Sequence, residues 1–414
     1  MLSRSSLKLI LIAGTNGKTT TSSLIRTALE AKGKRVIHNE SGANLLNGIA
    51  STLIINTNLL GKLNQDYAIF EVDENTLPLI LKEIKPDYLL LLNLFRDQLD
   101  RYGEVDAIAK KWQTALKILS RNTTVILNAD DPRIAFLANS TNAQIKYFGL
   151  NCHCEERHGS GRRGNLFYLR DCFAPFVARN DKMLQHAVDS IYCPRCGNKL
   201  HFTNLSFSHL GDWSCKHCGL KRAEVDIGHF DLYPLPGVYN KYNTIAAALL
   251  LKQTGLNNRQ IKNAFKKFSP AFGRQELISY KGKKIQIFLS KNPTSFNESF
   301  KTIKDLNAKT LLLVLNDRIP DGRDVSWIWD VDLPGIEKFK NILISGDRVY
   351  DMALRIKYAE KFQIPNSKFQ TFEKLDEAIK EGLNNLKSDE TLYILPTYSA
   401  MLEVRKILTG KKIL

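Results

Sequence analysis

The chain has 414 residues, 43% of them hydrophobic, enough for two or three domains with packed cores. No apolar run reaches the ~20 residues a membrane span needs, and residues 7–13 are too short for a signal peptide, so the expected location is the cytoplasm. The formal charge of +17 fits an acidic partner or substrate (nucleotide, nucleic acid, anionic membrane surface, diphosphate-bearing molecule), and a generally basic solvated surface accounts for it equally well.

Residues 7–12 form an apolar run, interrupted by Lys8, and read as a buried parallel strand. Ala13-Gly14-Thr15-Asn16-Gly17-Lys18-Thr19-Thr20-Thr21 follows, and 22–32 reads as a helix. Strand, glycine turn, Lys-Thr and helix together cradle a triphosphate. Backbone N–H groups and the helix start face the phosphates, Lys18 supplies a point charge, and the Thr19 hydroxyl can ligate magnesium. The common phosphate loop has a glycine where Ile12 stands here. The shorter GTNGKT turn resembles that of the ATP-dependent Mur ligase and folylpolyglutamate synthetase group.

Strand-like runs continue at 67–72, 88–94 and 124–127, with helical segments between them, including 108–119. This alternation predicts a parallel sheet with helices on both faces and ligand sites at the strands' carboxyl ends. Glu71 ends one such run and is the first choice for a magnesium ligand, with Asp73 and Glu74 behind it; a solvated strand-end acid is the plainer reading. The polar stretch from Asn93 to Asp106 follows the next strand, and Asn128-Ala-Asp-Asp-Pro132 the one after. Turn formation explains the second of these as well as ligand contact does.

Residues 151–228 break the rhythm and read as an insertion. Within 190–222, Cys193-Pro-Arg-Cys196 and Cys215-Lys-His-Cys218 each precede a glycine. Two such knuckles make a closed four-thiolate zinc ribbon, structural in role, with His217 outside the ligand set. Cys152, Cys154 and Cys172 have no pairing pattern.

Helices are expected at 243–253 and 258–268, and 269–274 reads as an interdomain hinge. Tyr239-Asn-Lys-Tyr-Asn243 then sits just before a helix, where it can meet adenine or ribose or where Asn243 simply caps. A second α/β, Rossmann-like block follows, with strands at 285–289, 310–315, 342–345 and 391–395. The loop 315–330 crowds Asp317, Asp321, Asp324 and Asp330 beside Trp327 and Trp329, more like an interface or catalytic loop than core.

GTNGKTTT, NESGAN at 39–44, NLFRDQLDRYGE at 93–104, LNADDP, the paired CxxC motifs, NKYN at 240–243 and DGRDVSWIWD at 321–330 together resemble the MurT family, the Mur-ligase-like subunits of lipid II isoglutaminyl synthase. The resemblance spans essentially the whole chain. It implies a Mur-type central ATP-binding domain over 1–272 and a C-terminal domain over 273–414 that docks a glutaminase subunit, GatD. The implied reaction is ATP-dependent amidation of the D-glutamate α-carboxylate of lipid II through an acyl phosphate, with ammonia from that partner.

By the same resemblance, Gly14, Thr15, Asn16, Gly17, Lys18, Thr19, Thr20, Asn240 and Asn243 contact ATP. Thr19 and Glu71 hold Mg2+, and Cys193, Cys196, Cys215 and Cys218 hold Zn2+. Lys18 and Glu71 serve the phosphoryl transfer. Asp324 completes a Cys-His-Asp triad with the partner's Cys and His. Contact with lipid II at the inner face of the membrane is implied, and nucleic acid is not. Two departures from the full ligases stand out: the chain starts at the phosphate loop's own strand, without their UDP-binding domain, and Gln98 replaces the histidine of their DHxDR motif. A stand-alone amide ligase and a zinc-ribbon NTPase acting on nucleic acid are the competing readings.

Overall fold

The computed structural model describes residues 7–39, 43–58, 63–96, 105–151, 188–270, 273–359 and 369–410. The tract around Gln98 and residues Cys152, Cys154 and Cys172 lie outside the described residues, as does the centre of NESGAN.

The first half builds a six-stranded parallel sheet. Its strands are β1 (Lys8–Ala13), β2 (Val36–His38), β3 (Tyr67–Val72), β4 (Tyr88–Leu91), β5 (Thr124–Asn128) and β6 (Gln144–Phe148), in the order β2-β3-β1-β4-β5-β6. The connecting helices are α1 (Lys18–Glu30), α2 (Leu46–Ile55), α3 (Leu77–Glu83), α4 (Val105–Leu116) and α5 (Pro132–Phe136). Beyond the exposed Lys8, β1 is buried on both faces, which is why Leu9 to Ala13 read as an apolar run. Leu9 and Leu11 pack with Phe70, Leu77 and Trp112 on one side. Ile10 and Ile12 pack with Leu24 and Leu249 on the other.

After β6 come an antiparallel hairpin, β7 (His201–Phe207) and β8 (Leu210–Ser214), and two helices, α6 (Val238–Gln253) and α7 (Asn258–Phe265). The chain rejoins the first sheet where Ile227 bridges Phe148. α6 is buried along most of its length and packs on α1. It starts at Val238 with Gly237 before it, so Asn243 lies inside the helix and does not cap it.

The second sheet has the order β13-β12-β11-β14-β10-β9. Its elements are β9 (Arg274–Tyr280), β10 (Lys283–Phe288), α8 (Pro293–Asp305), β11 (Thr310–Val314), β12 (Asn341–Ser345), α9 (Val349–Lys357), β13 (Phe369–Thr371), α10 (Leu375–Asn384), β14 (Thr391–Pro396) and α11 (Tyr398–Thr409). All neighbours are parallel except β9, which pairs antiparallel to β10. Arg274, read as the end of a hinge, is the first residue of β9. Among the described residues no helix is long and apolar enough to cross a membrane.

Candidate active site

The glycine turn between β1 and α1 is shaped by two close approaches. Gly14 has φ 144° and would bring a Cβ to 2.9 Å from Leu92 Cβ. Gly17 has φ 93°, and a Cβ there would lie 2.1 Å from Asn243 Oδ1. Both positions need glycine for backbone conformation and for space. The turn is strapped to the end of β4. Thr15 N–H donates to the Asn93 carbonyl at 3.0 Å and Asn16 N–H to Asn93 Oδ1 at 2.9 Å, while Asn93 Nδ2 donates to the Asn16 carbonyl at 3.0 Å. The sequence showed Asn93 only as the start of a polar loop. Its signal was position: the first polar residue beyond the strand that pairs with β1.

α1 begins at Lys18, earlier than the expected 22, with no side-chain cap and no acid in its first turn. Its first N–H groups and the positive end of the helix dipole are therefore open to an anion. Lys18 Nζ donates to the Gly14 carbonyl and lies 3.4 Å from Glu74 Oε2. Thr20 is buried at the same turn and lines the adjoining cleft.

The three acids after β3 separate into different tasks. Glu71 is buried, with Oε2 accepting from Thr19 Oγ1 at 2.8 Å and Oε1 from Ser22 Oγ at 2.9 Å. His38 Nε2 lies 3.4 Å from Glu71 Oε1. Burial pushes the Glu71 carboxyl up, but His38 and then the Thr19 and Ser22 hydroxyls outweigh it and hold it below the usual carboxylate range. Asn39 pairs with both the N–H and the carbonyl of Glu71, at 2.9 Å each, fixing its backbone. Asp73 accepts from Asn75 N–H at 3.0 Å and so serves the local turn, while Glu74 faces Lys18.

Asn240 and Asn243 lie in the opening turns of α6, and Asn243 Nδ2 donates to Asn240 Oδ1 at 3.2 Å. They line a cleft with Asn16, Tyr239, Arg274 and Glu298, so both halves of the chain contribute walls. Asn292 Nδ2 of the second half reaches Asn16 Oδ1 at 3.4 Å.

The aspartates of the 315–330 loop do not act as one cluster. Asp321 is buried and accepts from Ser399 N–H at 2.8 Å. Asp324 is exposed and accepts from Ser326 N–H at 2.8 Å. The Ser326 hydroxyl and N–H hold its carboxyl below the usual range. Trp327, read with its loop as interface or catalytic rather than core, is half-buried edge-on to Phe296, whereas Trp329 is exposed beside the Arg355 guanidinium. Asp330 lies 3.7 Å from Arg96.

Cys193, Cys196, Cys215 and Cys218 bring their sulfurs within 4.8 Å of one another, the group among the described residues dense enough to hold a metal. Cys193 and Cys218 are 3.6 Å apart, and Cys196 and Cys215 3.5 Å. Each knuckle closes on its glycine: Gly197 N–H donates to the Cys193 carbonyl at 2.9 Å and Gly219 N–H to the Cys215 carbonyl at 3.0 Å. The Asn198 N–H and side-chain amide bring the Cys196 thiol down to about 5, so a thiolate is favoured there. The imidazole of His217 is not in this group.

This arrangement defines a class: a Mur-ligase-like α/β protein, whose fold implies ATP and Mg2+. The family model for the Mur ligase middle domain matches residues 12–164, and that for the MurT ligase C-terminal region matches residues 289–401. The chain is 33% identical over 371 residues to the lipid II isoglutaminyl synthase (glutamine-hydrolyzing) subunit MurT of Staphylococcus aureus, covering 85% of this chain and 77% of that one. With the MurT subunit of Streptococcus pneumoniae it shares 29% identity, covering 98% of this chain and 88% of the other. The chain belongs to the MurT family. Among solved structures, a pseudomurein peptide ligase type C from Methanothermus fervidus is similar in fold, with TM-score 0.67 and 19% identity over 99% of this chain and 80% of that one. The MurF ligase from Thermotoga maritima in complex with ADP has TM-score 0.59 and 13% identity, over 98% of this chain and 79% of that one.

Proposed function

We propose that this chain is the synthase subunit of a lipid II isoglutaminyl synthase, amidating the D-glutamate α-carboxylate of the lipid II stem peptide to D-isoglutamine. The carboxylate oxygen attacks the γ-phosphorus of ATP, ADP leaves, and ammonia then displaces phosphate from the acyl phosphate and gives up a proton. Membership of the MurT family disfavours the stand-alone ligase and the nucleic-acid NTPase.

The observation that carries the assignment of residues is the pairing of Thr19 with Glu71 beside the uncapped start of α1. Thr19 Oγ1 and the ionised Glu71 carboxylate would hold Mg2+, a hard oxygen-ligated cation that offsets charge on the transferring phosphoryl group. Gly14, Thr15, Asn16, Gly17 and Thr20 would cradle the phosphates with backbone N–H groups, and Lys18 would turn from Glu74 to the phosphates. Asn240 and Asn243 would contact the nucleoside.

Ammonia would come from a glutaminase subunit, GatD, docked on a C-terminal domain over 273–414, with 1–272 as the ATP-binding domain. Asp324 would orient the partner's catalytic histidine. Its exposure and its tie to Ser326 support a carboxylate held ionised for a group arriving from outside. The described cysteines all lie in one cluster, which suits a nucleophile supplied in trans. The cluster fits a structural Zn2+ with four thiolates. We place the protein in the cytoplasm, working at the inner membrane face where lipid II is met. The direct test is co-purification with a candidate glutaminase, then mass spectrometry of lipid II after incubation with ATP and glutamine. Conversion of a carboxylate to an amide only in the presence of both subunits is expected; an unaltered product refutes the assignment.

A further inference from the structure

The four-cysteine hairpin is joined to the candidate nucleotide cleft by a buried polar hub. Asp130 lies at the end of β5 and is fully buried. Its Oδ1 accepts from Arg222 Nε at 2.6 Å, just beyond the second cysteine knuckle. Its Oδ2 accepts from Leu150 N–H at 2.9 Å and from the Tyr242 hydroxyl of α6. Its carbonyl accepts from Gly211 N–H of β8 at 3.2 Å, and Trp213 Nε1 donates to the neighbouring Ala129 carbonyl at 3.0 Å. One residue, through its carboxylate and its carbonyl, thus joins the hairpin and the segment after it, the end of the first sheet and α6.

Two consequences reach the cleft. Tyr242 immediately precedes Asn243, whose amide oxygen fills the space beside Gly17. Phe207, at the end of β7, lies edge-on to the Tyr242 ring at 5.6 Å and 73° and itself lines the cleft. An aromatic wall from the hairpin, beside the Asn240–Asn243 amides, suits the planar, uncharged part of a nucleotide.

Building on the ATP-site reading above, we propose that the four-cysteine hairpin sets nucleotide affinity, with Phe207 as a specificity-determining wall of the cleft and Asp130, Arg222 and Tyr242 as positioning residues. Arg222 and the backbone of β8 fix Asp130, Asp130 holds the Tyr242 hydroxyl, and Tyr242 fixes the rotation of α6 that presents Asn243 to Gly17. The cysteine cluster sets the geometry of the hairpin, so loss of its metal loosens the nucleotide site rather than the glutamine-dependent half of the reaction.

The test uses the full chain with its partner and compares wild type with Tyr242→Phe, Arg222→Gln and Phe207→Leu. ATP binding is measured by calorimetry, KM for ATP and KM for glutamine by steady-state kinetics, and folding by thermal melting. Each variant is expected to raise Kd and KM for ATP about tenfold, with KM for glutamine unchanged. Wild-type protein stripped of metal should show the same weakened ATP titration. Tyr242→Phe keeps the ring and loses one hydroxyl, so it folds even if Arg222→Gln does not. Wild-type ATP affinity in Tyr242→Phe and Phe207→Leu, or equal shifts in both KM values, overturns the proposal. Lys18→Ala separates this failure from that of the site assignment: if it alone weakens ATP binding, only the hairpin's role is lost, and if it has no effect, the ATP site itself is misassigned and the proposal falls with it.

Discussion

Asn243 Oδ1 occupies the space that any side chain at residue 17 would need, 2.1 Å from an ideal Cβ on Gly17. The glycine is also held at φ 93°, a left-handed conformation that L side chains rarely adopt. Gly17→Ala therefore meets strain and a clash at once, and either the turn or the Asn243 side chain must shift. The expected result is a loss of about 1–3 kcal/mol in stability together with weakened ATP binding. Melting and ATP calorimetry read the two effects separately. Unchanged ATP affinity would mean that Asn243 and the turn do not form one site.

Lys18→Ala removes the cation that lies 3.4 Å from Glu74, in a setting where both side chains are largely buried. On the proposed chemistry the same change removes the positive charge that stabilises the transferring phosphoryl group. Amidation should fall by on the order of 10²–10³-fold or more, the usual effect of deleting one preorganised transition-state contact. Co-purification with the glutaminase should persist, because the loop that carries Asp324 is held by its own contacts, Asp324 to Ser326 and Asp321 to Ser399. Amidation at the wild-type rate would refute the phosphate-loop role.

Much of this site was legible in the sequence because its parts are local. GTNGKTTT carries its strand, turn and helix in one stretch, and Glu71 sits where a buried apolar run stops. The central strands announced themselves by continuous apolar runs, since parallel strands covered on both faces need no polar alternation. β2, β6 and β13 did not: β2 and β13 are three residues long, and β6 is exposed or half-buried over most of its length, so burial left little pattern to read. Long-range pairs were invisible for another reason. Asp130 meets Tyr242 112 residues later and Asp131 meets His209 78 residues later, and nothing in either local sequence names the partner. The start of α6 was misjudged because asparagines favour caps and turns. Here the packing of the helix onto α1 overrides that preference and draws Asn240 and Asn243 inside it.

The Glu71 carboxyl is held below its ordinary value of 4.5, so folding favours its ionised form. A depressed carboxylate contributes stability that is present above the unfolded value and is lost as pH falls through the folded one. Thermal melting of the wild type should therefore decline steadily as pH drops below about 4.5. Glu71→Gln should flatten this part of the profile, since the amide cannot ionise, and should also abolish magnesium-dependent ATP turnover. An identical acid limb in both proteins would show that Glu71 is not the group responsible.

The cysteine cluster predicts a metal-dependent fold for the hairpin. Cys193→Ser combined with Cys196→Ser leaves two sulfurs of the four that lie within 4.8 Å of one another. Bound zinc measured by mass spectrometry should fall from about one per chain to near zero, since structural zinc needs its full tetrahedral set. The melting temperature should drop by about 5–10 °C, as a loss of a few kcal/mol implies for a domain of this size. Wild-type protein that holds no zinc, or a variant that melts unchanged, would refute the structural metal.

Asp324 offers a clean separation of the two half-reactions. Its carboxylate is exposed, and among the described residues the donor that holds it below the usual range is Ser326. Asp324→Asn should leave melting within about 0.5 kcal/mol of wild type, as surface substitutions usually do. In the complex, glutamine hydrolysis should fall by on the order of 10³–10⁴-fold, because an amide cannot hold the partner's histidine in the tautomer that accepts the cysteine proton. Amidation supplied with ammonium salt should continue near the wild-type rate, since that route bypasses the triad while using the same ATP site. Glutamine-dependent and ammonium-dependent activities that fall together would place Asp324 in the synthetase reaction instead, and activities that both persist would remove it from the chemistry altogether.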